Sequence, residues 1–388
     1  MDQSIIVVGA GVSGILLRQG FQKAGIRFRV FERDASLGAR VQGYRVRISD
    51  DGIEALRQSL SSERLDELKR YCSTLPIKNN IPTHVLSAID GILKKPPVAT
   101  KGPPLLVDRQ VLRTALVKGI EAHIEFGKAF VQYNRTNTGI AVELSDGSMT
   151  EGPTLVGPDG AWSKVRLQLL PSYKLCDTGA RPIFGKTPIT KDFLSKFTSP
   201  QAMLGVTLLR SATADCLLKP MIFDPAEPIT PANYVYWVLF SREDVYTDES
   251  RPDDQHSMLE IVQSAQQKMN NWIETFWCLS TQPNSSAGII KIVISNPTKT
   301  PVSNAMDLKV VFVDAAAHVM APTAALGATT ALQDTAVLGP VEVALRGYKQ
   351  EIPAYAQSAL HKSMVSGKVM FGMAPFNELP LIGFRSTE

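Results

Sequence analysis

The N-terminal part of the chain contains two apolar runs separated by an amphipathic stretch. The run from Ile5 to Val8 is continuously apolar, as a strand buried on both faces of a parallel sheet requires. The stretch that ends near Ala24 has the apolar spacing of a helix, and a second strand follows from Arg27 to Phe31. This order predicts a β-α-β unit and therefore an α/β fold.

Hydrophobic alternation typical of antiparallel sheets begins later in the chain. Two alternating strands on either side of Asp90 and Gly91 predict a hairpin. The segment YVYWVLF predicts another strand, with Tyr234 and Tyr236 on one face and Trp237 on the other. The pattern therefore indicates a parallel core with an inserted β-rich unit.

The charge balance narrows the possible partners. The 388 residues include 41 Lys and Arg against 37 Asp and Glu, a net charge of +4, and no run of five like charges. This charge distribution does not indicate a basic patch that would bind nucleic acid or an anionic membrane. We therefore expect a small-molecule substrate, while the oligomeric state stays open.

The cysteines and the apolar segments indicate the cellular compartment to expect. The four cysteines, at positions 72, 176, 216 and 278, are too scattered for a zinc site or a disulfide framework, so we expect reduced thiols and no metal. No signal peptide precedes the first strand, and no uninterrupted apolar stretch approaches ~18 residues. These features predict a cytoplasmic protein without a transmembrane segment.

Three glycines follow the first strand at the spacing of a dinucleotide-binding turn. Gly9 can make the tight turn, Gly11 lets the backbone approach a pyrophosphate, and Gly14 permits close packing of helix on strand. Glu32 ends the second strand, where a carboxylate can accept hydrogen bonds from an adenosine ribose. The adjacent Arg33 can stack on adenine or lie in solvent. Together these residues predict a bound dinucleotide.

Three further segments indicate which dinucleotide to expect. They are ERDASLGARVQGYRVRISDDGIEALRQSL, LLVDRQVLRTAL and LVGPDGAWSKVR. In order and spacing they resemble the successive motifs of the FAD-dependent aromatic hydroxylase family, the para-hydroxybenzoate hydroxylase-like group A flavin monooxygenases, and particularly its fungal biosynthetic branch. The resemblance implies FAD as cofactor and NAD(P)H as cosubstrate.

The resemblance also implies a domain organisation. We expect a Rossmann-like FAD-binding domain of the glutathione reductase type, with an inserted β-sheet substrate domain and C-terminal helices. The FAD-binding domain would comprise 1-80, 97-170 and 285-345, the substrate domain 81-96 and 171-284, and the C-terminal helical segment 346-388.

The same resemblance implies cofactor contacts for charged residues of these segments. The family arginine that matches Arg109 lies against the ribityl and phosphate groups, and an arginine near Arg40 or Arg45 also faces the cofactor. Guanidinium groups can neutralise a diphosphate through a planar set of donors. Asp159 matches the family's Asp-Gly motif, whose turn brings a carboxylate near the cofactor.

The segment VDAAAHVMAPTAALGATTALQD resembles the family's last motif but departs from it where the cofactor should bind. Superposed without a gap on His318, the segment places Asp314 at the family's glycine and Ala315 at its aspartate. That aspartate binds a ribityl hydroxyl in the family, so its loss would remove a charged hydrogen bond of roughly 1.5 to 3 kcal/mol. His318 itself is expected to be a hydrogen-bonded packing residue.

The turn that follows departs from the family as well. Ala324 and Ala325 stand where glycines are usual, and a Cβ atom there restricts positive φ. Gly327 and Ala328 match the start of the family's last helix, whose amides face the pyrimidine edge of the flavin. Either Asp314 reaches the ribityl chain through a local bulge, or the scaffold has drifted towards weak flavin binding and different chemistry.

The expected function follows from these motifs. The first hypothesis is a monooxygenase that uses FAD, NAD(P)H and O2 to hydroxylate, epoxidise or Baeyer-Villiger oxidise an aromatic or enolisable natural-product intermediate. The alternatives are a non-redox enzyme, such as a cyclase or isomerase, and a binding protein without catalysis. Tyr236 is the candidate catalytic residue, since a phenol there could orient a substrate oxygen or stabilise an enolate, although aromatic residues in strands are commonly core.

Overall fold

The computed structural model describes residues 4–39, 45–74, 81–100, 105–196, 205–212, 214–241, 279, 284–296, 309–338 and 341–383. In chain order the strands are β1 (Ile5–Val8), β2 (Phe28–Glu32), β3 (Arg45–Ile48), β4 (Ile81–Ser87), β5 (Leu93–Thr100), β6 (Leu105–Asp108), β7 (Ile124–Phe126), β8 (Phe130–Arg135), β9 (Ile140–Leu144), β10 (Met149–Gly152), β11 (Leu155–Gly157), β12 (Leu175–Asp177), β13 (Ile183–Pro188), β14 (Val206–Arg210), β15 (Ala214–Met221), β16 (Tyr234–Ser241), β17 (Ser286–Ile289), β18 (Val293–Ile294), β19 (Val310–Phe312) and β20 (Leu381–Ile382). The helices are α1 (Val12–Lys23), α2 (Asp50–Ser59), α3 (Ser62–Arg70), α4 (Arg109–Val117), α5 (Lys164–Leu169), α6 (Lys191–Lys196), α7 (Gly327–Val337) and α8 (Val341–Phe371).

A parallel sheet forms the centre of the N-terminal unit. Its strand order is β19-β11-β1-β2-β7, and every neighbouring pair is parallel. All four residues of β1 are buried, because helices cover one face of the sheet and strands β8 and β9 cover the other. Helix α1 packs against α2, α4 and α7 on one of these faces. The Rossmann-like α/β arrangement predicted from the sequence is confirmed.

A second sheet contains seven strands in the order β17-β13-β16-β15-β14-β4-β5. Its neighbours are antiparallel except β14 and β4, which run parallel. Strands β4 and β5 form the hairpin predicted around Asp90 and Gly91, but β5 continues to Thr100, beyond the boundary expected at 96. The small sheets are β10-β9-β8, β18-β12-β20 and β3-β6.

The two faces of the seven-stranded sheet pack against different surroundings. Trp237 and its neighbours on the outer face form their own apolar cluster. The opposite face carries Tyr234 and Tyr236 and packs with Leu106 of β6 and Phe371 of α8. We call this second face the roof face, because it covers the unit that is built on the parallel sheet.

The C-terminal part differs from the helical segment expected at 346-388. Helix α8 begins earlier, at Val341, and continues through Pro353 to Phe371. Strand β20 then pairs with β12, with Leu381 opposite Cys176. A strand of two residues is too short to show alternation, so the hydrophobic pattern could not predict it.

In the part of the chain that the structure describes, no helix has the combination of length and hydrophobicity that crossing a bilayer requires.

Candidate functional site

A cavity of about 490 Å³ lies where the parallel strands end. Its walls come from the segments that follow β1, β2, β11 and β19 and from the first turns of α4 and α7. Open parallel sheets bind their ligands at this carboxyl edge. The predicted cofactor residues that line the cavity are Gly9, Gly11, Glu32, Arg33, Arg109, Asp159, Asp314, Gly327 and Ala328.

The glycine turn after β1 has the geometry that its spacing predicts. Gly9 has a φ of +112°, and a Cβ atom there would lie 2.6 Å from the carbonyl oxygen of Pro158. A Cβ atom on Gly14 would overlap the carbonyl oxygen of Gly9, so Gly14 serves helix packing and does not line the cavity. Gly11 precedes α1 and has nothing within 4 Å of the place where a Cβ atom would lie. The first turn of α1 therefore faces the cavity through an opening.

The N-terminus of α1 is suited to a negatively charged group. No side chain caps it, and its first turn contains no acidic residue. The amide groups at the start of a helix and the helix dipole both favour anions. A phosphate group is the natural complement of this end of the cavity.

Glu32 connects the turns that follow β1 and β2. The side chain is buried, its Oε2 accepts the amide of Ala10 at 2.7 Å, and its Oε1 accepts the amide of Asp34 at 3.0 Å. Each carboxylate oxygen has a second lone pair, so a ligand hydroxyl can still donate to it. Arg33 is exposed at the rim of the same cavity.

Two charged residues of the cavity wall have buried atoms without a protein partner. They are Nε of Arg109 and Oδ1 of Asp159, as judged within the described ranges. The other carboxylate oxygen of Asp159 accepts the amide of Val165 at 3.2 Å, and burial raises the pKa of this carboxyl group. Buried polar groups in native proteins are normally hydrogen bonded. These two atoms therefore fit a polar ligand in the cavity.

Arg113 is a cavity residue that the sequence analysis missed. Its guanidinium group is buried and donates to the carbonyl oxygens of Ala10, at 3.1 Å, and Leu37, at 3.2 Å. The side chain thereby holds the glycine turn in place. The signal was present, because Arg113 follows Arg109 by one helical turn and so shares its face of α4.

Asp314 occupies the cavity wall in an unusual backbone conformation. Its φ is +60°, its Oδ2 accepts the hydroxyl of Ser13 at 2.8 Å, and its amide donates to Asp334 at 2.6 Å. Burial raises the pKa of Asp314, although the Ser13 hydrogen bond acts in the opposite direction. A positive φ is what a glycine would adopt, and Asp tolerates it better than most residues. The gapless superposition that puts Asp314 at a family glycine is consistent with this geometry, and Ala315 also lines the cavity.

His318 is buried below this turn. Its Nε2 lies 2.7 Å from Oδ2 of Asp334, whose Oδ1 accepts the hydroxyl of Tyr355 at 2.6 Å. Burial disfavours the imidazolium, but the charge and hydrogen bond of Asp334 outweigh it and raise the pKa of His318. Its place in a hydrogen-bonded buried network is that of a packing residue, as expected.

Arg45 and Tyr236 lie together on the roof side, and neither lines the cavity, although Val46, the next residue of β3, does. The Arg45 guanidinium carbon is 5.4 Å from the centre of the Tyr236 ring, and Nε of Arg45 is buried without a partner in the described ranges. Tyr236 is 9% exposed within the roof-face cluster. The expected cofactor role of Arg45 stays a prediction, and Arg40 lies outside the described residues.

The sequence analysis also missed charged residues on the roof face and beside it. Asp108 is buried, and its Oδ1 caps α4 by accepting the amide of Gln110 at 2.8 Å. Its Oδ2 accepts from the ammonium of Lys186 and, at 2.8 Å, from the hydroxyl of Tyr234. Lys219 on β15 is completely buried, and burial lowers its pKa to about 8 with a further contribution from a neighbouring guanidinium. Lys219 could have been noticed in the sequence, because it is a lysine on the apolar face of a strand.

The family model described as FAD binding domain matches residues 2–278. The chain is 29% identical to the dual O-methyltransferase/FAD-dependent monooxygenase elcB of Phaeosphaeria nodorum, over 97% of this chain and 47% of elcB. It is 30% identical to the dual O-methyltransferase/FAD-dependent monooxygenase CTB3 of Cercospora nicotianae, over 96% of this chain and 46% of CTB3. The chain thus spans about half the length of these curated relatives.

A solved structure supports the architecture. Klebsiella pneumoniae HpxO, complexed with FAD and uric acid, matches with a TM-score of 0.73 and 16% identity, over 95% of this chain and 89% of that chain. At this level of identity the likeness shows the fold alone.

Proposed function

The chain belongs to the FAD binding domain family, and from this premise we propose that it is a single-component FAD-dependent monooxygenase. The substrate is an aromatic or enolisable natural-product intermediate, and the reaction is a hydroxylation, an epoxidation or a Baeyer-Villiger insertion. One oxygen atom of O2 enters the substrate, the other leaves as water, and NAD(P)H with one proton supplies the two electrons that this balance requires. The relatives are named as dual enzymes, and for this chain we propose only the monooxygenase activity and not the O-methyltransferase activity.

The observation that carries the proposal is a set of buried polar atoms in the cavity wall that a ligand could satisfy. Among the residues that the structure describes, Nε of Arg109 and Oδ1 of Asp159 are buried without protein partners, and the space beside Gly11 is open. A flavin dinucleotide offers both an anionic diphosphate and hydroxyl groups, which complement these two kinds of atom. A nicotinamide dinucleotide would leave Arg109 and Asp159 unused, if they serve the flavin half as the family resemblance implies.

Each part of the cofactor has residues that fit it. The diphosphate would be held by the N-terminus of α1 and by Arg109, and the adenosine ribose by Glu32. The ribityl chain would be held by Asp159 and Asp314, and the pyrimidine edge by the amides at Gly327. Bound FAD supplies the activation of dioxygen.

The rest of the chemistry depends on side chains of the chain itself. The roof face brings apolar residues, among them Phe184, Met221 and Val238, over the parallel-sheet unit, which excludes water from the reacting groups. Tyr236 belongs to the same cluster and is the candidate group for orienting a substrate oxygen or for moving a proton to or from it.

The first experiment identifies the cofactor. The purified protein is denatured, and the released nucleotide is separated by chromatography and identified by its mass and absorbance spectrum. FAD is the expected result, and NAD alone would contradict the proposal. Gly11→Val should abolish FAD retention, because its side chain enters the open space beside α1. Gly38→Val is the matched control, since Gly38 is exposed, also has open space around it and does not line the cavity.

The second experiment tests the reaction. NAD(P)H oxidation is followed in air, and product formed under ¹⁸O2 is analysed by mass spectrometry. One ¹⁸O atom per product molecule, with one NAD(P)H consumed, is the expected outcome. Product without isotope would contradict oxygen transfer from O2.

A non-redox enzyme on the same scaffold is the second candidate function. The observation in its favour is Ala315, which lines the cavity where the resemblance places the aspartate that binds flavin. Product formed equally well by a flavin-free preparation without NAD(P)H would establish this alternative.

A further inference from the structure

A row of three polar side chains crosses the roof face. Lys186 on β13 and Lys219 on β15 each lie directly opposite Tyr236, which occupies the strand between them. Residues that face each other across neighbouring strands project from the same side of a sheet. The two ammonium groups and the phenol therefore share the side that covers the parallel-sheet unit.

Only one of the two lysines has a counter-charge in the described part of the chain. Lys186 pairs with the Asp108 carboxylate. Lys219 is 0% exposed, and its Nζ atom has no hydrogen-bond partner in the described ranges. Nε of Arg45, the neighbouring cation, also lacks a partner there.

Such an arrangement is costly unless something compensates it. A buried ammonium without hydrogen bonds loses its hydration and gains nothing in return. The nearby guanidinium of Arg45 adds repulsion, and burial lowers the pKa of Lys219 to about 8. An anionic group placed between Lys219 and Arg45 would compensate both positive charges and offer them a hydrogen-bond acceptor.

We propose that Lys219 and Arg45 together bind an anionic oxygen of the substrate, beside the ring of Tyr236. The oxygen belongs to a deprotonated phenol, a deprotonated enol or a carboxylate. The inference rests on the proposed function, because it makes the roof face part of the substrate site of the monooxygenase. Its physical basis is electrostatic: two cations lower the pKa of a bound phenol or enol and so hold it as the anion.

The probes are 4-fluoro-1-naphthol, 4-fluoro-1-naphthoate and the neutral 1-fluoronaphthalene, observed by fluorine NMR with the FAD-loaded protein. The fluorine shift of the naphthol reports its ionisation, so a pH titration gives its pKa when bound. We expect a bound pKa at least one unit below that of the free naphthol. We also expect at least one of the two anions to bind more tightly than 1-fluoronaphthalene, and the comparison of phenolate with carboxylate identifies the preferred class.

The decisive variant is Lys219→Met, whose unbranched side chain is one atom shorter and carries no charge. It should weaken binding of the preferred anion about 10- to 100-fold, the equivalent of one charged hydrogen bond, and leave 1-fluoronaphthalene unaffected. Lys95→Met is the matched control, because Lys95 lies exposed on β5 of the same sheet. Arg45→Gln provides a second, independent loss of charge from a different strand.

The outcomes separate this inference from the proposed function. Unchanged anion binding in Lys219→Met, or anions that bind no better than 1-fluoronaphthalene to the unmodified protein, would overturn the inference. FAD content is measured in the same samples, and Lys219→Met should retain it, since Lys219 does not line the cofactor cavity. A protein that released NAD alone would contradict the proposed function, while the same titration of the protein as purified would still decide the role of Lys219.

Discussion

Replacing Lys219 by methionine should stabilise the ligand-free protein at neutral pH and make its stability less dependent on alkaline pH. The substitution removes a completely buried ammonium group without hydrogen bonds in the described ranges. The apolar surroundings, which include Met221 on the same strand, accept a thioether of similar length. Removing a buried unpaired charge eliminates its desolvation penalty.

The lowered pKa gives the size and the sign of this effect. A fall from the ordinary value of 10.5 to about 8 corresponds to about 3 kcal/mol, at roughly 1.4 kcal/mol per pKa unit. Because the folded-state pKa lies below the unfolded one, the unfolded chain binds more protons between these two values. The penalty is therefore fully present below pH 8 and disappears as the pH rises from about 8 to about 10.5. Stability of the unmodified protein gains about 3 kcal/mol from this group across that window.

Other charged or titratable groups lie near Lys219, and they must contribute equally to the stability of the unmodified protein and of Lys219→Met. They are Arg45 from β3, Tyr236 from β16 and, one strand further, Lys186 with its partner Asp108. All four are present in both proteins, so the difference between the two free energies of unfolding isolates the lysine. That difference should fall from about 3 kcal/mol at pH 7 towards zero near pH 10.5.

Urea unfolding at pH 7, 8, 9 and 10 provides the assay. Tryptophan fluorescence follows the relevant sheet, because Trp237 is buried in it. Lys95→Met should show no pH-dependent difference, since that side chain is exposed. A difference that stays constant from pH 7 to pH 10, or a Lys219→Met protein that is less stable at pH 7, would refute the reasoning.

Three further predictions concern the turn after β19. Ala325→Gly should raise the free energy of unfolding by about 0.5 to 1 kcal/mol in thermal denaturation, because Ala325 has a φ of +51°; Ala324→Gly, in a right-handed turn, should lower it by a similar amount. The double change Asp314→Gly with Ala315→Asp should tighten FAD binding about tenfold in a fluorescence titration if a displaced carboxylate is the defect; no gain would show that Asp314 already serves the cofactor. Protonated His318 should stabilise the fold fully below pH ~6.5 and lose this contribution as the pH rises through its raised pKa; His318→Gln should flatten that part of the stability profile, and an unchanged profile would contradict the ion pair.

The cofactor turns could be predicted from the sequence because their determinants are local. The glycine spacing lies within one β-α-β unit and the Asp159-Gly160 turn follows its strand directly, although the backbone that crowds Gly9 belongs to Pro158, far away in the chain. Asp314 was harder to interpret, since its positive φ depends on Ser13 and Asp334, far away in the chain.

The charge neighbours on the roof face could not be predicted in the same way. Lys219 and Arg45 become neighbours only when β3 packs beneath the inserted sheet, and no periodicity within one strand indicates such a partner. The family resemblance implies a cofactor contact for Arg45, which stays a prediction, and it gave no indication that the Arg45 guanidinium lies over the ring of Tyr236. Charge matching between distant strands is a property of the tertiary fold, and a single sequence does not encode it in any local pattern.

Asp108 restricts the motions that the protein can use to exchange ligands. One oxygen of this carboxylate is fastened to the start of α4, and the other holds Lys186 and Tyr234 of the inserted sheet. Lifting the sheet at this point would break both of the hydrogen bonds that Oδ2 accepts, so an opening that leaves them intact costs less free energy. The Asp108 carboxylate thus connects the inserted sheet to the start of α4, and we expect ligands to enter and leave by a route that keeps its hydrogen bonds intact.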